Sequence, residues 1–279
     1  MKQIIIVCSF LLTSVFTQSQ VHLPAPSPTQ TIRQDFGMSS VELTYSRPSL
    51  KGRKIIGDME PYNVIWRTGA NAATRITFND PVEILGNRVD TGTYVIYTIP
   101  AKDNNWTFIL NRGIKNWGID GYKESEDVFR TKIKAENISP KIETLTMQFG
   151  NIRPESMDLL IRWENTSLKV PITTSVKDKL RAEINAGMQT DKQPYWQAAQ
   201  FYFEYDNDKA KALEMINKAI DQNAASKPFW MIYYKAKIQK EMGNAAGART
   251  SAAQSIAMAK EAKNENYVLM NEKLLKEIK

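Results

Sequence analysis

Six basic side chains, Arg47, Lys51, Arg53, Lys54, Arg67 and Arg75, stand in the stretch from Tyr45 to Arg75 against only two acids, Asp58 and Glu60. Inside that stretch runs the hexapeptide WRTGAN, Trp66 to Asn71. A guanidinium is a planar fork that meets carboxylate or phosphate two oxygens at a time. Gly69 admits a tight turn or a positive φ. Thr68 and Asn71 place donors and acceptors around it, and the Trp66 indole offers a flat stacking face. The candidate binding residues are therefore Arg47, Arg53, Trp66, Arg67, Thr68 and Asn71, and the chemistry is recognition of a small anionic or sugar-like ligand. The same residue types also suit a purely structural corner. In that reading Trp66 is core, Arg67 pairs with Asp58 or Glu60, and Thr68 to Asn71 satisfy backbone groups.

Other chemistries are narrowed by what the chain lacks. Cys8 is the only cysteine and His22 the only histidine. One imidazole near the start cannot supply a Ser-His-Asp triad or a multi-histidine zinc site, and a single cysteine gives no disulfide framework. No metal site and no cofactor is expected. Asp103–Asn104–Asn105 and Asp206–Asn207–Asp208 lack the spacing of a calcium loop and read as turns. Glu124, Glu126 and Asp127 form a small acidic cluster that reads as a solvated face. Net charge is +7, but the basic residues are dispersed without a run of five, which argues against a nucleic-acid arm.

These residues need elements to hold them. Residues 1–20 have the form of a signal peptide: Lys2, an apolar run from Ile4 to Val15, then a polar close. The apolar run is too short to span a bilayer, which takes about 20 residues. Residues 21–40 include LPAPSPTQ, a proline-rich stretch expected to be an extended leader. From 41 to 174 short β-prone runs alternate with turn residues. Thr93 to Ile99 is apolar on both faces and predicts a central buried strand. Trp106, Phe108 and Leu110 share one face of another strand; Leu145, Met147 and Phe149, then Leu159, Ile161 and Trp163, do the same. Eight or so such strands predict an antiparallel sandwich or barrel. Ser125 to Ala135 admits either a helix or an irregular excursion.

From 175 to 279 the period becomes helical. Val176, Leu180 and Ile184 fall at four-residue steps, and Gly187 ends that helix. PYW at Pro194–Trp196 recurs as PFW at Pro228–Trp230, an offset of 34 residues. The helical part resembles the tetratricopeptide repeat, with Ala212 and Ala219 at its small positions and Ala248 and Ser255 arriving two residues late. The delay predicts a longer turn at Gly243–Asn244. Tyr267 to Ile278 supplies a capping helix. Two repeats are few for an independent array, so the helices are expected to pack on the β-rich part as one rigid body. The fold class is thus α+β, a β-sandwich or barrel followed by a tetratricopeptide-like array.

Four blocks carry a second resemblance: YSRPSLKGRKIIG from Tyr45, YNVIWRTGANAATRITF from Tyr62, GTYVIYTIP from Gly92 and WTFILNRG from Trp106. In this order they resemble the family called domain of unknown function 2911, over roughly residues 30–172. The resemblance implies a secreted protein of the kind common in Bacteroidota and implies no reaction. The function expected is a non-catalytic ligand- or protein-binding or scaffold protein of the bacterial envelope, exported to the periplasm or secreted. Its partners would be a protein or peptide on the helical region and a small anionic or sugar-like ligand, with no nucleic acid and no transmembrane segment in the mature chain. The alternative is an envelope or carbohydrate-active enzyme using Arg and carboxylate groups.

Overall fold

The computed structural model describes residues 23–278; the expected signal segment, Cys8 and His22 lie outside them. The chain divides into two units. One holds the residues up to Gln34, Ser40–Ile152 and Met157–Ile172; the other holds Asp35–Ser39, Arg153–Ser156 and everything from Thr173.

The first unit is a nine-stranded antiparallel sheet in the order β1-β2-β3-β6-β7-β8-β9-β4-β5. Its strands are β1 (Thr29–Phe36), β2 (Ser39–Ser46), β3 (Thr74–Phe78), β4 (Val82–Ile84), β5 (Asn87–Val89), β6 (Gly92–Ile99), β7 (Asn105–Asn111), β8 (Asp127–Arg153) and β9 (Ser156–Thr173). β6 is central as expected, paired with β3 and β7, and Tyr94 to Thr98 are all buried. Thr29–Phe36, expected in the leader, is extended but lies in the sheet as its edge strand.

Two strands are far longer than their sequence patterns imply. β8 covers 27 residues, taking in both the ambiguous Ser125–Ala135 stretch, apart from a single 3-10 turn at Glu124–Glu126, and the Leu145–Phe149 run. Its first part pairs with β7 from Asp127 to Lys134. Further on, Leu145 donates to the Pro48 carbonyl at 2.9 Å and Glu143 accepts from Leu50 at 2.8 Å. The sheet therefore folds over on itself, and one strand serves both layers. The Tyr45 hydroxyl closes the fold, accepting from the Met147 amide at 2.8 Å and donating to Gln30 Oε1 at 2.8 Å. Between the layers sit Leu43, Ile76, Phe78, Ile96, Phe108, Leu145 and Leu159, all essentially solvent-free. Burying such side chains stabilises the fold by about 1.5–3 kcal/mol each.

A smaller apolar cluster, Ala73, Val95, Tyr97 and Ile109, lies on the outer face of β6 and β7, with Ile65 and Tyr122 over it. Two loops, 57–73 and 112–122, supply that cover. Four of the six candidate residues, Trp66, Arg67, Thr68 and Asn71, ride on the first of them.

The second unit has six helices: α1 (Lys177–Gly187), α2 (Tyr195–Glu204), α3 (Lys209–Gln222), α4 (Phe229–Glu241), α5 (Ala245–Glu261) and α6 (Glu265–Glu277). Pro194 and Pro228 stand immediately before α2 and α4, where the missing N–H costs nothing. Asp208, Asn244 and Asn264 cap α3, α5 and α6, each accepting a backbone N–H. Ala212, Ala219, Ala248 and Ser255 have no exposed surface, which is what close helix approach at those positions requires. The two-residue delay in the second pair has a different origin from the one expected. α4 has 13 residues against 10 in α2, while the turn after it, Met242–Asn244, is no longer than the first. No helix of the described residues is long and apolar enough to cross a membrane.

Candidate functional site

The six residues singled out from sequence do not converge. Arg47 donates from Nε to the Leu145 carbonyl at 3.1 Å and from Nη2 to Thr146 Oγ1 at 3.0 Å, so its fork fastens β2 to β8. Arg53 donates to the carbonyls of Leu50 and Ser49, at 2.9 and 2.8 Å, and closes its own turn. The backbone of that turn is held by Glu164, whose Oε2 accepts from the amides of Ile55 and Ile56.

Trp66 is core. Only 3% of it is exposed, its ring stacks on Trp163 with centroids 5.8 Å apart, and its Nε1–H donates to the Gly69 carbonyl at 3.2 Å. It exchanges two backbone hydrogen bonds with Thr98, which anchors the loop to β6. The stacking role assigned to Trp66 is corrected on this point, because no face of the indole is open. Thr68 is fully buried, with its hydroxyl at 3.1 Å from Thr98 Oγ1 and its carbonyl accepting from Thr74 Oγ1 at 2.7 Å. The left-handed positions of the loop fall on Thr68 (φ 53°) and Asn71 (φ 59°), not on Gly69. What Gly69 supplies is room, since a Cβ there would stand 3.0 Å from Thr74 Oγ1. Asn71 is exposed and donates to the Ser27 carbonyl and Ser46 Oγ, at 3.3 and 3.4 Å.

Arg67 remains available. It is half-buried, and among the described residues its side chain makes one hydrogen bond, from Nη1 to the Asn71 carbonyl at 2.9 Å. Among the described residues it has no ion pair, so the expected pairing with Asp58 or Glu60 does not form as a direct contact. Glu60 is nevertheless close enough to feel it. Burial pushes the Glu60 carboxyl up to about 7, and the Arg67 charge pulls the other way.

The partner surface of Arg67 was absent from the sequence reading. Its guanidinium lies over Gly118, where an added Cβ would meet Nη1 at 2.5 Å. Gly118 belongs to a loop built around Asn116. The Asn116 side chain donates to the Tyr97 hydroxyl at 3.2 Å, and that hydroxyl donates to the Gly118 carbonyl at 3.2 Å. Tyr97 is fully buried, and desolvation raises its phenol above the ordinary value. Behind it Asp127 accepts from Tyr122, Arg130 and Asn111 Nδ2, so this carboxylate is committed to structure. Glu124 and Glu126 pair with Arg130 and Lys123, consistent with a solvated acidic face. The glycine spacing 113, 118, 121 around Asn116–Trp117 was the available signal for this loop, since close backbone approach needs residues without a Cβ.

A family model described as "Protein of unknown function (DUF2911)" matches residues 27–172, more than half of the chain. The chain belongs to that family. The DUF2911 segment takes in β1 to nearly the end of β9 and both loops that bear Arg67 and Gly118, so the match begins inside the stretch expected to be a leader. No curated protein and no solved structure matches the chain.

The helical unit, beyond the DUF2911 segment, holds a cavity of about 380 Å³ across α2, α4 and α6. Phe203, Tyr233 and Leu274 line it with Lys209, Lys237 and Lys240 and with the carboxylates Glu241 and Glu277. Lys240 is neutralised by Glu277 at 2.6 Å. Lys237 instead lies over the Tyr234 and Phe203 rings, at 5.2 and 5.9 Å from their centroids, and Lys209 donates to the Glu241 carbonyl. Among the described residues neither has a carboxylate partner. The turn residues Asp206 and Asp208 are both occupied. Asp206 takes Arg181 and Lys177, which hold its carboxyl down at about 2, and Asp208 caps α3.

Proposed function

We propose that the chain is an exported, non-catalytic binding protein of the bacterial envelope whose helical unit takes an acidic peptide segment of a partner. The observation that carries this reading is the groove lined by α2, α4 and α6, in which three lysines, Lys209, Lys237 and Lys240, stand against two carboxylates, Glu241 and Glu277, beside aromatic walls, and Lys209 and Lys237 make no ion pair among the described residues. A cavity of mixed apolar and cationic lining suits an extended chain bearing carboxylates. Helical repeats offer such grooves on one continuous face. The apolar segment from Ile4 to Val15 supports export.

The test is fluorescence anisotropy with a labelled peptide of alternating Glu and Ser and a matched one of Lys and Ser. The acidic peptide binds, the basic one does not, and Lys237→Glu weakens binding roughly tenfold or more while the circular dichroism spectrum is unchanged. Raising NaCl to roughly 0.5 M weakens it further, as screening requires. Equal binding of both peptides, or indifference to Lys237→Glu, refutes the reading.

A further inference from the structure

The loop that meets Arg67 carries an indole with no structural task. Trp117 is 63% exposed, and Ile114 and Ile119 beside it are each 40% exposed. Isolated exposed apolar residues are ordinary, but here three stand exposed within six positions of one loop. The loop is also locked. Asn116 donates its amide to Gly113, Asp120 to Trp117 and Tyr122 to Ile119, at 3.0 to 3.1 Å, and the Tyr97 hydroxyl fastens Gly118. A backbone fixed at so many points holds the indole in water instead of letting it turn inward. Folding gains nothing from that arrangement, whereas a binding site gains a platform whose ordering cost is already met.

The residue after Trp117 is Gly118, on which the Arg67 guanidinium rests. The cationic fork thus rests on the backbone of the residue next to the one that carries the flat apolar face. Among the described residues the Arg67 guanidinium spends only Nη1 on a hydrogen bond, leaving donors for a bidentate contact. These are the two groups needed by a sugar ring that carries a carboxylate: its C–H face packs on an aromatic ring, and its carboxylate takes the fork. We propose that Trp117 and Arg67 form a subsite for an acidic saccharide of the uronic acid class. The stacking face expected at Trp66 lies at Trp117, and the cation is the one the sequence pointed to.

The experiment is isothermal titration of the full chain with tri-galacturonate and with its methyl ester, which keeps the ring faces and removes the charge. Tri-galacturonate binds, and the ester binds roughly tenfold or more weakly. Trp117→Ala and Arg67→Met each weaken the acid by a similar factor, and Arg67→Lys loses less. Thermal melts identify any variant that fails to fold, in which case Arg67→Lys decides. Equal affinity for acid and ester, no heat with tri-galacturonate, or indifference to Trp117→Ala overturns the proposal. So does self-association in sedimentation that Trp117→Ala abolishes with no saccharide bound, which assigns the patch to a protein interface.

Discussion

Glu60 is a carboxyl whose environment works against its ordinary chemistry. Its folded carboxyl titrates at about 7 instead of 4.5, because burial disfavours the anion more than Arg67 supports it. Between those two values the folded chain keeps a proton that the unfolded chain has released. Stability from this group is therefore complete below about pH 4.5 and falls as pH rises to about 7. Glu60→Gln removes the titration. Denaturant melts at pH 5 and pH 8 should show the variant more stable than the parent only at the higher pH, by on the order of 1–3 kcal/mol after solvent screening. Parallel pH profiles for the two proteins contradict this account. The sequence identified Glu60 as a possible partner of Arg67 but not its burial, because residue type says what a group can bond and not what surrounds it. Arg47 makes the same point. Its guanidinium looked like ligand chemistry, yet Leu145 and Thr146 reach it from 98 and 99 positions away.

At the scale of elements, periodicity was readable wherever one face was buried. The alternation in β7 and the 34-residue offset between α2 and α4 both correspond to observed elements. The small positions of the helical pairs give a direct check. Ala219 has no exposed surface and packs in the cluster with Phe201, Met231 and Ile238, while Ala210 on the same helix is exposed. Ala219→Leu should destabilise the helical unit by about 1–3 kcal/mol through overpacking. Ala210→Leu should change stability by less than about 0.5 kcal/mol. Equal effects in urea melts followed at 222 nm would mean that helix approach is not limited at Ala219. The lengths of β8 and β9 were not readable. The polar stretch around Ser139–Pro140 and the turn-like Glu164–Asn165 mark apparent ends, but each lies inside a continuous strand where the layers exchange. A strand that passes from one layer to another loses its alternation midway, so its pattern reads as two short pieces.

Across the whole molecule the two units differ in how far along the chain their contacts reach. In the β-unit Tyr45 bonds Met147 across 102 positions, and Leu85 donates to the Pro171 carbonyl. In the helical unit the long hydrogen bonds stay local, as with Lys209 to the Glu241 carbonyl at 32 positions and Lys240 to Glu277 at 37. Closing distant loops costs entropy before any contact compensates it, so nonlocal sheets form slowly and stacked helices quickly. The composition shift near residue 174 already pointed to this division, though no sequence pattern revealed which distant strands would meet. During refolding from denaturant, backbone amides of α3 to α5 should gain protection well before the amide of Thr98, whose own bond to Trp66 is short-range but whose sheet closes through contacts such as Tyr45 to Met147, 102 positions apart. Pulse-labelling hydrogen exchange with peptide-level mass spectrometry reads both regions in one experiment. Protection at Thr98 that matches or precedes the helices would show that the Trp66–Thr98 corner nucleates locally. In that case the WRTGAN loop would be a folding element in its own right and not a late closure over β6.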